Sequence, residues 1–192
     1  LTIRSTVART GPADPFYAGN AADSHFAFRL RNDGGYTIAP GSIMEHFVSL
    51  DSFRFFREFQ PVLRRSHRDL TLRFGLRRLL PDRKWSAHDV SPFEKERCIN
   101  PLPAADAIRR MRRGLEDHLP TLAGEPFVDL WAGMIDTMPD VVPVLDEVPD
   151  YPGLFVATGF SGHGFGFGPG AGETMANLVL GNPARQIGRA HV

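Results

Sequence analysis

Residues 153–181 read GLFVATGFSGHGFGFGPGAGETMANLVLG. Glycine disfavours regular structure by roughly 0.5–1 kcal/mol per residue, so this density between a strand-like run and a helix-like run calls for a reason. A strand that passes through a glycine-rich bend into a helix leaves consecutive N–H groups without partners, and the helix dipole adds partial positive charge. Such a bend suits an anion, or a carbonyl carrying negative charge. Close packing of helix on sheet is the other reading of the same glycines.

Several chemistries are excluded by spacing. No Gly-Lys-Ser/Thr closes the run, so it is not a P-loop. Gly159, Gly162 and Gly164 stand in the wrong order for a dinucleotide fingerprint, and no βαβ unit follows them. Ser161 sits in a Gly-x-Ser-x-His frame rather than the Gly-x-Ser-x-Gly of a nucleophile elbow. His163 has no second His, Cys or carboxylate at ligand spacing, which argues against a metal site.

The elements that must hold this bend are legible in part. LTIRSTVART alternates as a strand, and GPADPFYAGNAAD reads as loop. In HFAFRLRNDGGYTIAPG, Phe26, Phe28 and Leu30 alternate with Ala27, Arg29 and Arg31. Asp33-Gly34 then turns the chain back through Tyr36, as in an antiparallel hairpin. A helix is expected over FRFFREFQPVLRR, capped by Asp51 or Ser52, with Phe53, Phe56 and Phe59 on one face and Pro61 ending or kinking it. SPFEKERCINPLP reads as irregular. AADAIRRMRRGLEDHL is amphipathic, with Ile108, Met111 and Leu115 on one side. Strands follow at PFVDLWAGMID, VVPVLDEV and LFVATGF. A last helix is expected from Ala171 to Leu180, with Pro169 in its first turn and Gly181 ending it. Strands and helices mix without a βαβ rhythm, so the class is α+β with a mostly antiparallel sheet.

Bulk properties narrow the function. Lys+Arg and Asp+Glu balance at 22 each, which argues against nucleic acid as a partner. The basic stretch from Arg64 to Lys84 has few interleaved aromatics and reads as a solvated face or rim. Cys98 is the only cysteine, so an internal disulfide is excluded, in keeping with a reducing compartment. No apolar run approaches the ~20 residues that span a bilayer. A cytoplasmic location is expected, with peripheral attachment to a membrane as the other option. The chain starts at Leu1 without a signal peptide and is expected to begin inside a longer protein. IGRAHV, residues 187–192, is read as a non-native tail.

WAGMIDTMPDVVPVLD followed by PGLFVATGFSGHGFGFGPGAG resembles the carboxyl-terminal signature of the FAD-dependent amine and amino-acid oxidoreductases, which include D-amino-acid oxidase and dehydrogenase, glycine oxidase and sarcosine oxidase. RLRNDGGYTIAPG is similar to the substrate-domain hairpin of the D-amino-acid-dehydrogenase-like members. The resemblance implies FAD as cofactor, with Gly159, Phe160, Ser161, Gly162, His163, Gly164 and Phe165 lying against the flavin ring. It implies oxidation of the C–N bond of an amino acid or secondary amine, by hydride transfer to flavin N5. A non-catalytic flavoprotein subunit or assembly factor of the same fold is the alternative. On this resemblance residues 1–138 are a substrate-domain portion, and residues 139–186 are the closing strand and helix of an FAD-binding domain. The amino-terminal segment that carries the family's pyrophosphate fingerprint is expected as a partner, together with a small amine substrate and an electron acceptor.

The departures from the family pattern are specific. The arginine that grips a substrate carboxylate in glycine oxidase-like members falls at Ile135, and a second such arginine falls at Gly162. The lysine that promotes reaction with oxygen in sarcosine oxidase-like members falls at Gly166, which favours a dehydrogenase over an oxidase. The covalent flavin cysteine falls near Gly133. Arg29 and Arg31, on the polar face of the hairpin, are the candidate cations for a carboxylate; a solvated strand face is the other reading. Tyr36 is a candidate substrate contact or a packed cross-strand aromatic. The catalytic residues themselves are not identified by the sequence.

Overall fold

The structure is a computed structural model that describes residues 2–41, 44–66, 70–74, 85–86 and 88–183. Its centre is β1 (Thr2–Pro12), whose alternating sequence is buried on every second residue over much of its length. β7 (Phe127–Asp136) pairs antiparallel along one edge of β1, from Thr2↔Asp136 through Val7↔Trp131 to Thr10↔Phe127. The other edge is divided. β4 (Gly35–Pro40) takes the second half of β1, and β5 (Met44–Phe47) takes Ile3 and Arg4. β3 (Phe26–Leu30) and β2 (Asn20–Ala22) extend the sheet beyond β4, and β6 (Leu70–Arg73) pairs parallel with β5. Every other pairing in this seven-stranded sheet is antiparallel, which confirms the expected α+β class.

The predicted hairpin is present, with Leu30 opposite Tyr36 and Gly34 at φ 81 in the turn. Phe26, Phe28 and Leu30 share one face with Tyr36 and Ile38. Helix α4 (Ala105–His118) lies on that face and buries Met111 and Leu115 completely. The amphipathic reading of this helix holds for these two residues, with Ile108 packed at the edge of the core. α5 (Pro120–Ala123) adds Leu122 to the same core.

Polar groups register the helix on the sheet. Thr6 is buried, and its hydroxyl accepts from the N–H of Ala104 at 2.9 Å, just before α4 begins. Arg4 and Glu45 face each other across β1 and β5. The Glu45 carboxylate is held by Arg4 at 2.6 Å and by Arg73 at 2.7 Å, and Arg73 also binds Asp106 in the first turn of α4 at 2.6 Å. Glu45 is nearly fully buried, so removing either arginine would leave a poorly solvated charge, which is costly.

Several expectations need correction. The helix between strands β5 and β6 is broken at Phe55 into α1 (Leu50–Arg54) and α2 (Phe56–Ser66). The three phenylalanines therefore do not form one face: Phe59 is buried, while Phe53 and Phe56 are exposed. The cap is Ser49, paired with Ser52 in a capping box, and Pro61 lies inside α2. The segment after Ser91 contains a short capped helix, α3 (Pro92–Lys95), within its irregular run. The basic stretch from Arg64 to Lys84 lies largely outside the described residues; within them, Arg73 is committed to Glu45 and Asp106. The 187–192 tail also lies outside them.

β8 (Val144–Glu147) and β9 (Phe155–Thr158) form a separate antiparallel pair, and α6 (Gly164–Val179) packs on it. α6 starts seven residues before the expected Ala171 and ends beside Gly181, as expected. Its glycines have poor helix propensity, so the early start depends on anchors in the preceding bend rather than on local preference. Among the described residues, no helix is long and apolar enough to cross a membrane.

Two outcomes follow. Leu115→Ala should cost about 2–5 kcal/mol of stability by urea denaturation, the range for emptying a packed leucine site. His46 is largely buried: its Nδ1 donates to the carbonyl of Thr2 at 3.1 Å, so Nε2 is left to accept from the hydroxyl of Ser52 at 2.9 Å. Desolvation lowers its pKa below the ordinary 6.5, although the bond to Thr2 opposes this. The unfolded chain thus binds this proton more readily, and stability should fall as pH drops below 6.5 until the folded-state pKa is passed. In His46→Gln, the fall in melting temperature between neutral and mildly acidic pH should be smaller; an unchanged fall would contradict the assignment.

Candidate functional site

The glycine bend is a braced structure. After β9, Gly159 takes φ 74, Ser161 takes φ 50 and Gly162 takes φ 86. The left-handed region is natural for glycine but unusual for serine, so Ser161 is held there by its surroundings. Its N–H donates to the carbonyl of Asp136 at 3.1 Å. Its hydroxyl donates to the carbonyl of Gly159 at 3.1 Å and accepts from the N–H of Met138 at 3.0 Å. These bonds join the bend to the end of β7. They also leave Ser161 no nucleophilic role, in agreement with the mismatch in its motif.

The bend then opens into α6 with donors to spare. The N–H of His163 bonds to Phe160, and those of Gly166 and Phe167 both bond to His163. Among the described residues, no acceptor is bonded to the N–H groups of Gly162, Gly164 or Phe165. These groups lie at the positive end of a 16-residue helix. The bend is not covered: Gly162 and His163 are exposed, and a Cβ placed at Gly166, Gly168 or Gly172 would meet nothing. Phe165 and Phe167 also face outward.

The bend sits against one particular face of the large sheet. A side chain at Gly162 would lie 3.6 Å from Ile135 Cδ1. By register, Ile135, Gly133, Trp131 and Asp129 of β7 share a face with Ile3, Ser5, Val7 and Arg9 of β1. This is the face opposite α4. The two positions at which the family pattern places a cation, 135 and 162, are therefore in contact, and neither carries a charge.

The predicted substrate residues lie elsewhere. Arg29 pairs with Thr37, which pairs with Arg9, so Arg29 shares the face opposite α4 but sits near the other end of β1. Six residues of β1 separate Arg9 from Ile3, which places the arginines roughly 20 Å along the sheet from the bend. Arg31 is bound to Asp33 at 3.1 Å; Arg9 lies 3.8 Å from Asp33 and 3.5 Å from Asp129. The Gly35 N–H, aided by Arg31, holds the Asp33 carboxyl below its usual range. Arg29 is exposed, forms no ion pair among the described residues, and lines an open depression of about 340 Å3 with Asn20, Ala27 and Thr37. Tyr36 is fully buried and stacks on Phe16 with ring centroids 5.1 Å apart. Its hydroxyl donates to the Tyr17 carbonyl at 3.3 Å and accepts from the Phe16 N–H at 3.2 Å, which is the position of a packed cross-strand aromatic. Sequence reasoning missed the Arg9, Asp33 and Asp129 group, because its members lie on separate elements and only the register joins them.

Comparison with known proteins bears directly on this geometry. Residues 2–178 match the family model described as "FAD dependent oxidoreductase" (DAO). The chain belongs to this family. Its amino-acid sequence is 38% identical over 76 residues to L-saccharopine oxidase of Schizosaccharomyces pombe, a match covering 40% of the chain and 18% of that protein. It is 39% identical over 66 residues to peroxisomal sarcosine oxidase of Homo sapiens, covering 34% of the chain and 17% of that protein. The fold superposes on L-amino acid deaminase from Proteus vulgaris with a TM-score of 0.85 at 25% identity, over 97% of the chain and 44% of that structure. The chain thus spans less than half the length of the proteins it matches.

FAD is the cofactor of the DAO family. The bend has N–H groups without a described acceptor at Gly162, Gly164 and Phe165, the donor chemistry that suits an electron-rich ring edge, and a Cβ at Gly166, Gly168 or Gly172 would meet nothing within 4 Å. Among the described residues, no cluster of His, Cys, Asp or Glu could hold a metal ion.

The bracing makes the bend sensitive to Cβ atoms. At Gly159, a Cβ would collide with Met138 Cγ in a left-handed backbone. Gly159→Ala should therefore lose about 1–3 kcal/mol of stability. Gly133→Ala, with open space and no left-handed φ, should change stability by no more than about 0.5 kcal/mol. Urea titration of the two variants side by side checks this; equal losses would show that the bend is not held as described.

Proposed function

We propose that this chain is the substrate-binding and flavin-facing part of an enzyme that oxidises the C–N bond of an amino acid or secondary amine. FAD, when bound, supplies a two-electron acceptor at N5 for the hydride on the carbon next to nitrogen. The substrate's nitrogen lone pair forms the new C=N bond, and water hydrolyses the resulting imine. The observation that carries this reading is the set of N–H groups at Gly162, Gly164 and Phe165 without an acceptor among the described residues, in a braced bend of a family that uses FAD.

The residues divide the work as follows. The donors at Gly162, Gly164 and Phe165 would hold the electron-rich edge of the cofactor by hydrogen bonds, and they are fixed in advance by Ser161. Gly159, Phe160 and His163 complete that surface. Ile135 lies against the bend, and the sheet face that bears it would hold the substrate there. A strong base is not required if the amine arrives neutral. Of the two candidate cations Arg29 is the one available for a substrate carboxylate, because Arg31 is bound to Asp33; its distance from the bend suits an extended substrate. Gly166, in place of a lysine, fits a dehydrogenase that passes electrons to another acceptor.

We further propose that residues 1–138 form the substrate-binding portion and residues 139–186 the closing part of an FAD-binding domain, with the pyrophosphate held by a segment beyond these residues. The open, apolar outer side of α6 supports this division: Phe165, Val179 and Leu180 are exposed, and α6 buries no residue fully.

In the full-length flavoprotein, anaerobic addition of an amine substrate should bleach the oxidised flavin absorbance; the screen should span D-amino acids, N-methyl amino acids and opines. Failure of every amine to bleach it would remove the catalytic reading. Residues 1–192 alone should bind FAD poorly, and sub-micromolar binding would overturn the proposed division.

A further inference from the structure

We propose that the turn between β7 and β8 is a strained clamp on the glycine bend, in which Val141 sets how readily Met138 lets go of the bend and so how fast the flavin edge is released. This rests on the flavin-facing reading of the bend proposed above, and not on the amine oxidation itself.

Two residues carry the inference. Among the described residues, Val141 at φ 64 and Ser161 at φ 50 are the only ones other than glycine with positive φ. They stand far apart in the sequence, yet both are bonded to Met138. The N–H of Val141 donates to the Met138 carbonyl at 3.2 Å, and the N–H of Met138 donates to the Ser161 hydroxyl oxygen at 3.0 Å. The Met138 side chain also fills the space beside Gly159, where a Cβ would lie 2.8 Å from its sulfur. Met138 thus touches the bend at two of its left-handed residues.

The sequence explains why the strain falls on a valine. Pro139 fixes its own φ and disfavours helical backbone at Met138, and Pro143 does the same to Val142. Only Asp140 and Val141 remain to reverse the chain. Asp140 would tolerate the left-handed region better, but its carboxylate accepts the N–H of Val142 at 3.0 Å and is held in the turn. Val141 takes the left-handed position instead, an outlier for a β-branched residue. Its side chain is 44% exposed, so packing does little to keep it there. A strained residue persists only where its surroundings fix it. Ser161 has its bonds to Asp136, Met138 and Gly159 for that purpose, whereas Val141 has the bond to Met138 among the described residues.

This difference gives the clamp a direction. Opening the turn relieves Val141 and draws Met138 away from Gly159 and Ser161. The N–H groups of Gly162, Gly164 and Phe165 then lose their fixed positions. Strain at Val141 therefore favours opening, and release of the flavin edge passes through the opened turn.

The test uses the full-length flavoprotein. FAD release is followed by the rise in free-flavin fluorescence after dilution, and stability by thermal melting. Asparagine tolerates the left-handed region, so Val141→Asn should raise the melting temperature and slow FAD release by at least about five-fold, the low end of the strain at such a residue. Val141→Ile keeps the branched Cβ and should leave both unchanged. Met138→Ala, which empties the contact with Gly159, should speed FAD release. A melting temperature that does not rise in Val141→Asn, or FAD release that is not slowed, would overturn the clamp. The two readings fail in different ways. Release quickened by Met138→Ala but untouched by Val141→Asn removes the clamp and keeps the flavin at the bend. Release untouched by either variant removes the flavin from the bend, and the clamp with it.

Discussion

The arrangement depends on β1 using both of its edges. Its 11 residues accept β7 along one side, while β4 and β5 share the other, each taking one half. A strand used in this way cannot slip. A one-residue shift would exchange Thr6, Ala8 and Thr10, which face α4, for Ser5, Val7 and Arg9, which face the other way. The same register places Ile135 at one end of β1 and the Arg9–Asp129 pair toward the other. The hydrogen-bonding pattern of one strand therefore sets the order of residues along this face.

Much of this was legible in the sequence where a short period and a turn coincide. The β3–β4 hairpin was marked by alternation and by Asp33-Gly34, and α4 by the spacing of Met111 and Leu115. What was not legible depends on distant residues. β5 is four residues long and exists because Ile3 and Arg4 leave an edge free for it. The phenylalanine spacing from Phe53 to Phe59 suggested one continuous helix, but the chain bends at Phe55 and only Phe59 reaches the interior. The early start of α6 runs against helix propensity and even places Pro169 inside the helix, where it withholds the bond that the Phe165 carbonyl would accept. Local preference yields there to the anchoring of the bend by Ser161.

The glycine bend shows the same division. Its composition announced a backbone that something approaches closely, and the resemblance pointed to a flavin. The bracing could not be read, because it joins Ser161 to Asp136 and Met138, more than 20 residues earlier in the chain. Nor could the contact between Ile135 and Gly162. Taken singly, each is an uncharged position; taken together, they form one apolar contact between the sheet and the bend.

That spot shifts the question of charge to the rest of the sheet. α4 covers one face with Met111 and Leu115, and the Glu45 cluster locks it there. The opposite face grades from apolar at Ile135 to ionised at Arg9, with Arg29 and Arg31 beyond. The register of β1 is what lays that gradient out in a line, from Ile3 beside Ile135 to Arg9 beside Asp129.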